Sequence, residues 1–420
     1  MILKQYFKNI SFLFFINFAV KPIWVFVLDR KFQLMYGNEL YGNYFSLLSL
    51  IYIYSIVLDL GIHNYITKKM ADKSYSLTVD FYKLLHVKLF LGFLYLIIVV
   101  GTLFIFQFSF FKSILFFIIA LNQLLFSFFQ FGRSFIQGLQ RFGLDSWLSS
   151  IDRIFLVLLG SVLVYTSLGL NLGIISFIGI HFIAYLLSLT ITYFFLLRNI
   201  PLENKKVTFS FFSRLIHDAL PFIAISILMV IYTRTDAVLL QNLLPNGNEH
   251  SGIFALSYRF FDSAYNALYL LSMFLLPAVS AHFVSQNHTI IRQKVFYSFV
   301  IATVIALGFV VLTFIGCKEI FHYLYKTDSP YAIHTYQLGV WSVLGVAWMY
   351  VFGSFLTGIG KYKPIIIIVA IGVLLNIGLN LWLIPLYKAV GAAIACSVAQ
   401  LFVGISKGVY SVYVFKGWKD

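Results

Sequence analysis

Charged residues are scarce in this sequence: Asp, Glu, Lys and Arg make up 11% of its 420 residues, against about 25% in average soluble domains. Hydrophobic residues make up 61%, and the mean hydropathy is +0.91. A soluble fold of this composition would leave large apolar surfaces in water, and a disordered chain would need more charge. The composition therefore predicts an integral membrane protein. Because most cations flank apolar runs, nucleic-acid binding is not expected despite the formal net charge of +15.

Sequence motifs of catalysis and metal binding are also missing. There is no GxxxxGK[ST] loop for nucleotide hydrolysis, no HExxH, no CxxC pair and no GxSxG. The two cysteines, Cys317 and Cys396, lie in different apolar segments and form no disulfide framework. No connection between apolar segments is long enough for a catalytic domain. These absences favour a transporter over an enzyme, without a metal or a tightly bound cofactor.

The apolar segments are long enough to cross a membrane as helices, since one crossing takes roughly 20 residues. We predict about twelve transmembrane helices and thus an all-α integral membrane protein. The predicted spans lie near residues 9–28, 42–66, 84–107, 113–137, 147–167, 172–197, 214–240, 252–277, 295–316, 331–357, 363–384 and 390–415.

The distribution of cations predicts the orientation. Roughly 18 of the 30 Lys and Arg residues fall in the loops on the side of both termini, and roughly 6 fall on the other side. Loops rich in Lys and Arg stay in the cytoplasm. We therefore expect a multi-pass membrane protein with both termini in the cytoplasm.

An internal repeat relates the two halves of the chain. The segment SFIQGLQRF at 134–142 resembles SFLTGIGKY at 354–362. Gly42 and Gly252 open the second and eighth spans, and Gly173 and Gly391 open the sixth and twelfth, so all three offsets lie between 210 and 220 residues. We predict two six-helix lobes, 1–205 and 206–420, related by a pseudo-two-fold axis along the membrane normal. Transporters with this repeat work by rocking one lobe against the other.

Ionisable residues inside the spans mark the candidate site, because a charge at the bilayer centre costs at least about 2.5–3.5 kcal/mol. The cations predicted to line a central lumen and bind an anionic substrate are Lys21, Arg153, Arg234 and Arg259. The predicted ion-coupling or lumen acids, together with one histidine, are Asp59, His63, Asp236 and Asp262.

Structural roles compete with these functional ones. Arg259 and Asp262 are spaced i, i+3 and can neutralise each other, and Asp59 with His63 can form an interhelical bond. Asp152 and Arg153 point in different directions on a helix, which predicts separate partners.

Two further lysines lie nearer to the ends of their spans. We expect Lys88 and Lys407 to extend their ammonium groups to the membrane surface.

In their order and spacing, several segments resemble the bacterial polysaccharide flippases (Wzx-type O-antigen and capsule exporters), whose superfamily also contains the multidrug and toxin extrusion exporters. These segments are ELYGNYFSLLSL from Glu39, DLGIHNYITKKMA from Asp59, RSFIQGLQRFGLDSWLSSIDR from Arg133, LPFIAISILMVIYTRTDAVLL from Leu220, SGIFALSYRFFD from Ser251, LLPAVS from Leu275, LTGIGKYKP from Leu356 and LNIGLNLWLIPLYKAVGAAIA from Leu375.

The resemblance implies a flippase that moves undecaprenyl-diphosphate-linked oligosaccharide repeat units to the periplasmic face by alternating access. Proton or sodium coupling, membrane lipid as surroundings, and the polymerase and chain-length proteins of the same pathway as partners are expected with it. Resembling proteins carry lumen cations in the first, second, seventh and eighth spans; Lys21, Arg234 and Arg259 fit this pattern, but the second span offers Asp59 and His63 instead. Two alternatives stay open: a cation-coupled multidrug antiporter, and a membrane O-antigen polymerase or ligase.

Overall fold

A computed structural model of the chain is helical, and no strand occurs among the residues that it describes. Residues 9–19 of the first predicted span lie outside the described part of the chain. The described ranges are 20–63, 66, 77–139, 141–166, 168–198, 209–272 and 275–418.

The first half of the chain forms a π-helix, Ile23–Asp29, and seven α-helices within the described ranges. These are α1 (Arg30–Tyr54), α2 (Ile56–Asp59), α3 (Leu77–Phe106), α4 (Phe110–Gly138), α5 (Phe142–Tyr165), α6 (Leu168–Leu172) and α7 (Ile174–Leu197).

The second half continues with nine α-helices over its described residues. These are α8 (Phe209–Leu243), α9 (Gly247–Ser272), α10 (Leu275–Val284), α11 (His288–Ile315), α12 (Cys317–Tyr325), α13 (Pro330–Gly339), α14 (Ser342–Gly358), α15 (Tyr362–Tyr387) and α16 (Ala389–Gly417).

Ten helices in the described ranges are long and apolar enough to cross a membrane. The first, Val20–Asp59, has 40 residues, about twice one crossing, and the backbone leaves the helical region at Gly37 (φ 79°). It therefore accounts for two predicted spans, although the expected loop between them is replaced by helix on both sides of Gly37. Helix α9 matches the predicted eighth span but carries Glu249, Arg259 and Asp262. Helix α9 is not among these ten. The first helix counts as two spans and the other nine as one each, so that together with α9 they account for the twelve predicted spans.

Two compact units make up the structure. Unit 1 comprises Met1–Tyr36 and Leu47–Val230, and unit 2 comprises Gly37–Ser46 and Ile231–Asp420. The ten-residue segment Gly37–Ser46 thus belongs to unit 2, although it comes from the first half of the sequence. The lobe boundary at 205/206 stays a prediction.

The core of unit 1 is aromatic where α3 meets α4. Phe81, Phe131 and Phe135 are at most 1% exposed, and their ring centroids lie 5.1 to 6.3 Å apart. Outside this core, large apolar side chains face outward, such as Phe104 (77% exposed) and Phe110 (83%). Outward-facing phenylalanines are stable in a hydrocarbon solvent, so this pattern agrees with a membrane location.

Small residues bring the helices of unit 2 together. Helix α16 packs against α13, α14 and α15. Gly345 on α14 and Gly404 on α16 face each other so closely that a Cβ on either would overlap the backbone of the other helix. Close backbone approach at small residues is the usual way in which helices associate in membranes, where no hydrophobic driving force exists between them.

A second glycine contact in unit 2 joins the repeated segments themselves. Asn38–Gly42 and Asn248–Gly252 both read Asn-Glu-x-x-Gly. Gly42 leaves no room for a Cβ beside the carbonyl oxygen of Asn248, and Gly252 leaves none beside the carbonyl oxygen of Asn38. The two contacts are equivalent, as in an interface about a two-fold axis. The sequence comparison had found the two glycines but not the shared motif.

Polar side chains reinforce this contact. The Ser46 and Ser251 hydroxyl oxygens lie 2.5 Å apart, and Ser46 Oγ also donates to the Ala237 carbonyl at 3.2 Å. The amide of Gln241 donates to Asn43 Oδ1 at 3.0 Å and to Asn248 Oδ1 at 2.7 Å. The segment Gly37–Ser46 is therefore held by backbone contact and hydrogen bonds together.

Candidate functional site

The predicted Asp59–His63 pair forms at a broken helix in unit 1. Helix α2 is a single turn, and Leu60 (φ 39°) and Gly61 (φ 69°) end it in the left-handed region. Asp59 Oδ1 lies 2.9 Å from His63 Nδ1 and accepts the His63 backbone N–H at 3.2 Å. The pair thus lies within one segment, and both side chains are partly exposed, 31% for Asp59 and 24% for His63.

Lys88 is enclosed behind this pair, which contradicts the expectation that it reaches the membrane surface. Its side chain is 0% exposed, and Nζ donates to the Leu58 carbonyl at 2.6 Å and to Ser127 Oγ at 2.7 Å. The reason is the helix break: the carbonyl of Leu58, at the end of α2, accepts from the ammonium instead of from a later backbone N–H. Lys88 also acts electrostatically on Asp59.

Lys407 contradicts the same expectation in unit 2. It is 4% exposed, and its Nζ lies beside Gly353. The absence of a side chain on that glycine makes the space for the ammonium group. No carboxylate pairs with Lys407 among the residues that the structure describes.

The cation of α5, Arg153, pairs with its own neighbour. Arg153 Nε lies 3.4 Å from Asp152 Oδ2, so the prediction of separate partners is wrong for this contact. The Asp152 side chain is 5% exposed and that of Arg153 27% exposed. The contact places a positive charge beside the buried Asp152 carboxylate, which would cost several kcal/mol to bury alone.

Lys21 precedes an irregular helical turn. Pro22 follows it, and the chain then forms the π-helix Ile23–Asp29. A proline lacks the backbone N–H of a regular helix, and the irregular helix begins directly after it. Trp24 fixes the turn by packing against His181 on α7, with ring centroids 5.2 Å apart. Lys21 itself is half-buried.

Asp236 lies at an enclosed polar site of unit 2. It is 1% exposed and accepts from two amides of α15, Asn376 Nδ2 at 3.1 Å and Asn380 Nδ2 at 2.7 Å. The asparagines are one helical turn apart, so both reach the same carboxylate. Cys396 on α16 lies beside it. The sequence carried a signal for this site, the paired asparagines of LNIGLN in an apolar span, which sequence reasoning did not use.

Several oxygens at this site have no hydrogen-bond partner among the described residues. They are Asp236 Oδ2, Asn376 Oδ1, Asn380 Oδ1 and the Tyr232 hydroxyl. Tyr232 lies one turn before Asp236 on α8, and its ring approaches Gly372 of α15. Buried oxygens rarely stay unsatisfied. A carboxylate with neutral oxygens around it suits a proton or a hard cation. No group of three or more His, Cys, Asp or Glu side chains that could hold a metal ion occurs in the described ranges.

Two arginines of unit 2 make cation–π contacts with tyrosine rings. The Arg259 guanidinium lies 4.7 Å from the ring centroid of Tyr41 and 6.0 Å from that of Tyr325, and Arg259 is 6% exposed. The Arg234 guanidinium lies 5.5 Å from the ring centroid of Tyr258. Aromatic rings attract cations and fix the guanidinium plane. The sequence predicted both arginines but not their tyrosines.

Asp262 is a separate, half-buried acid on α9. Its Oδ2 accepts from Asn266 Nδ2 at 3.1 Å, one turn further along the same helix. This contact is local to α9. The roles of the eight predicted site residues in substrate or ion binding stay predictions.

Comparison with known proteins gives the family. The family model described as "Polysaccharide biosynthesis protein" matches residues 6–284, more than half of the chain. A second model, MatE, matches residues 221–382. A search of curated proteins finds no significant sequence match.

Solved structures share the fold at low sequence identity. The lipid II flippase MurJ in an inward closed conformation superposes with a TM-score of 0.72 at 13% identity, covering 96% of this chain and 87% of that one. An inward-facing multidrug resistance MATE transporter gives 0.71 at 12% identity, with coverages of 96% and 94%. A point mutant of the Vibrio cholerae MATE transporter VcmN gives 0.66 at 15% identity, with coverages of 98% and 98%.

These matches confirm the predicted all-α membrane fold with two lobes of helices. The chain belongs to the family whose model is described as polysaccharide biosynthesis protein.

Proposed function

We propose that this protein flips undecaprenyl-diphosphate-linked oligosaccharide repeat units from the cytoplasmic to the periplasmic face of the inner membrane. It would serve O-antigen or capsular polysaccharide synthesis, next to the polymerase and chain-length proteins of that pathway. The family match to polysaccharide biosynthesis proteins supports the sugar substrate. The likeness to a lipid II flippase supports a lipid-linked one.

This proposal rests on one structural observation: the guanidinium groups of Arg259 and Arg234 lie over tyrosine rings. Arginine binds phosphate oxygens in a planar, bidentate way, and an orientation fixed by an aromatic ring loses less entropy on binding. A diphosphate headgroup needs such cations, while its polyprenyl tail stays in lipid. Lys21 and Arg153 of unit 1 are further candidate cations for substrate binding.

The test is an export assay in cells that lack their own flippase and make a matching repeat unit. Arg259→Ala, Arg234→Ala and Lys21→Ala should cause single lipid-linked repeat units to accumulate at the inner face, with expression intact. Lys21→Arg should restore part of the export. Arg198→Ala is the matched control, because Arg198 is exposed and contacts only the ring of its helical neighbour Phe194 in the described structure. Normal export by all three alanine variants would refute the headgroup assignment.

Alternating access also needs a driving force, and we propose proton or sodium coupling through one of two acids within the predicted spans. Asp236 with Asn376 and Asn380 is the candidate in unit 2, and Asp59 with His63 is the candidate in unit 1. Export measured while the proton gradient or the sodium gradient is collapsed separately identifies the ion. Export that survives the loss of both gradients would contradict coupling.

A cation-coupled multidrug antiporter is the second candidate, and the MatE match over residues 221–382 favours it. Such a protein would use Asp236 to bind an organic cation. Expression in a drug-sensitive strain separates the two functions. Resistance that depends on Asp236, without any effect on lipid-linked sugars, would replace the flippase proposal. A polymerase or ligase would instead cause repeat units to accumulate at the outer face when it is deleted.

A further inference from the structure

The two candidate coupling acids differ in what surrounds them. Asp236 is enclosed by the neutral amides of Asn376 and Asn380 and by the neutral groups of Tyr232 and Cys396. None of these groups carries a positive charge. An ionised Asp236 would therefore be an uncompensated buried charge, which proteins avoid by binding a proton or a cation.

The surroundings of Asp59 already contain a cation. Lys88 Nζ is bonded to the carbonyl of Leu58, the residue before Asp59, so the ammonium lies against the peptide bond that leads to the carboxylate. His63 approaches the same carboxylate from the following turn and also contacts the Ser127 backbone.

The contacts of Lys88 are those of a charged ammonium. Both hydrogen-bond partners, the Leu58 carbonyl and Ser127 Oγ, accept from it, and the rings of Phe128 and Phe131 lie 5.9 and 5.8 Å away. Carbonyl oxygen, hydroxyl oxygen and aromatic faces all stabilise a positive charge. With 0% exposure, Lys88 cannot exchange these partners for water.

We propose that Lys88 is the built-in counter-cation of Asp59, so that Asp59 needs no ion from solution and ion coupling depends on Asp236. This inference rests on the proposed transport function. In unit 1 a lysine side chain supplies the positive charge that an external ion supplies at Asp236. Lys88 is thus a positioning residue, which holds the end of α2 and the charge of Asp59.

A double-mutant cycle on the purified full-length protein tests the charge pairing without any transport. Lys88→Met keeps the length of the side chain but removes its charge. It should lower the Tm by at least about 5 °C, because breaking a buried charge arrangement leaves one charge uncompensated. Adding Asp59→Asn should recover most of that loss. Lys407→Met is the matched control: this lysine is equally enclosed and has no described acid partner, so its Tm should stay the same or rise.

Cation titration of the same variants tests the assignment of coupling. Sodium or lithium, compared with choline chloride, should raise the Tm of Lys88→Met more than it raises the Tm of wild type or of the double variant. A Lys88→Met protein as stable as wild type, or one that Asp59→Asn does not rescue, overturns the inference.

Transport by single variants separates this inference from the proposed function. Export by Asp59→Asn should stay dependent on the ion gradient, whereas export by Asp236→Asn should lose that dependence. Loss of ion dependence in Asp59→Asn overturns the inference and leaves the flippase function standing. Unchanged ion dependence in Asp236→Asn refutes the coupling role of Asp236, while the thermal cycle still reports on Lys88.

Discussion

Buried charges in this protein are satisfied by different partners at different residues. Lys88 uses a carbonyl and a hydroxyl, Arg153 uses the carboxylate of Asp152, and Arg259 uses aromatic rings. Each solution offsets a desolvation cost that a lone charge in hydrocarbon would carry. The aromatic contact suits a cation that receives an anionic substrate, because a ring lowers the cost of burial and carries no negative charge of its own.

The tyrosine below Arg259 should therefore matter for export. Tyr41→Leu removes the ring 4.7 Å from the guanidinium and should lower the export rate by about 2- to 30-fold, since a cation–ring contact contributes about 0.5–2 kcal/mol. Tyr41→Phe keeps the ring and should export nearly as wild type does. The rate of appearance of repeat units at the outer face measures both. Equal loss in the two variants would assign the effect to the Tyr41 hydroxyl instead.

The two thiols should be unreactive in the folded protein. Cys317, in the connection between two spans, is 1% exposed, and burial raises the pKa of its thiol to about 12. Below that pH the protonated, less nucleophilic form dominates. Cys396 is 4% exposed. A maleimide probe at pH 8 should label neither residue until denaturant is added. Rapid labelling of Cys317 in native protein would contradict the described packing.

At the residue scale, local spacing was predictable and distant contacts were not. Asp59 and His63 meet because four residues separate them near a helical turn, which the sequence reveals. The burial of Lys88 depends on a carbonyl freed thirty residues earlier, and no periodicity within its own helix indicates that. Tyr325, brought to Arg259 from another helix, is a similar case.

Among the elements, the helices are long where the apolar runs are uninterrupted and break where single residues require it. Gly37 (φ 79°) divides the first long helix, and Leu60 with Gly61 ends α2. The second break lies beside the Leu58 carbonyl, which accepts from Lys88. The sequence predicted the number and type of spans, because about 20 apolar residues suffice for that. The sequence analysis expected a loop before Gly42, where the structure has helix on both sides of Gly37. A break at a single residue does not change the local composition, so the composition could not reveal it.

The paired motif at Gly42 and Gly252 yields a prediction for these elements. Gly42→Ala or Gly252→Ala forces a methyl group against a backbone carbonyl and should destabilise unit 2 by about 1–3 kcal/mol or more. Gly308→Ala is the control, because a Cβ there meets no atom within 4 Å and alanine favours helix. Thermal unfolding in detergent compares the three. A Gly42→Ala protein as stable as the Gly308→Ala protein would refute the close contact.

For the whole molecule, the repeat predicts that separate fragments reassemble. Gly37–Ser46 lies in the first half of the sequence and packs within unit 2, so residues 1–203 and 204–420 expressed as two chains should remain associated. Affinity purification through a tag on one fragment should recover the other. Gly42→Leu in the first fragment should lower the recovery, and Gly308→Leu in the second should not. Equal recovery with Gly42→Leu would show that this segment does not contribute to assembly.

For the whole molecule, the composition and the internal repeat predicted more of the fold than any single residue did. Scarce charge indicated that the protein lies in a membrane, and matching segments in constant order indicated its family, which the family model over residues 6–284 confirms. The transfer of ten residues from the first half into unit 2 was not predictable, because it depends on tertiary contacts such as Ser46 with Ser251.

The reciprocal arrangement of the two Asn-Glu-x-x-Gly segments limits how the sequence can change. Each glycine faces the main-chain oxygen of the other segment rather than a side chain. A bulky replacement at one position consequently has no suppressor at its direct contact, since no exchange of Asn38 or Asn248 removes a carbonyl. Genetic selection for revertants of Gly42→Ala should return the original codon or changes elsewhere that separate the two segments.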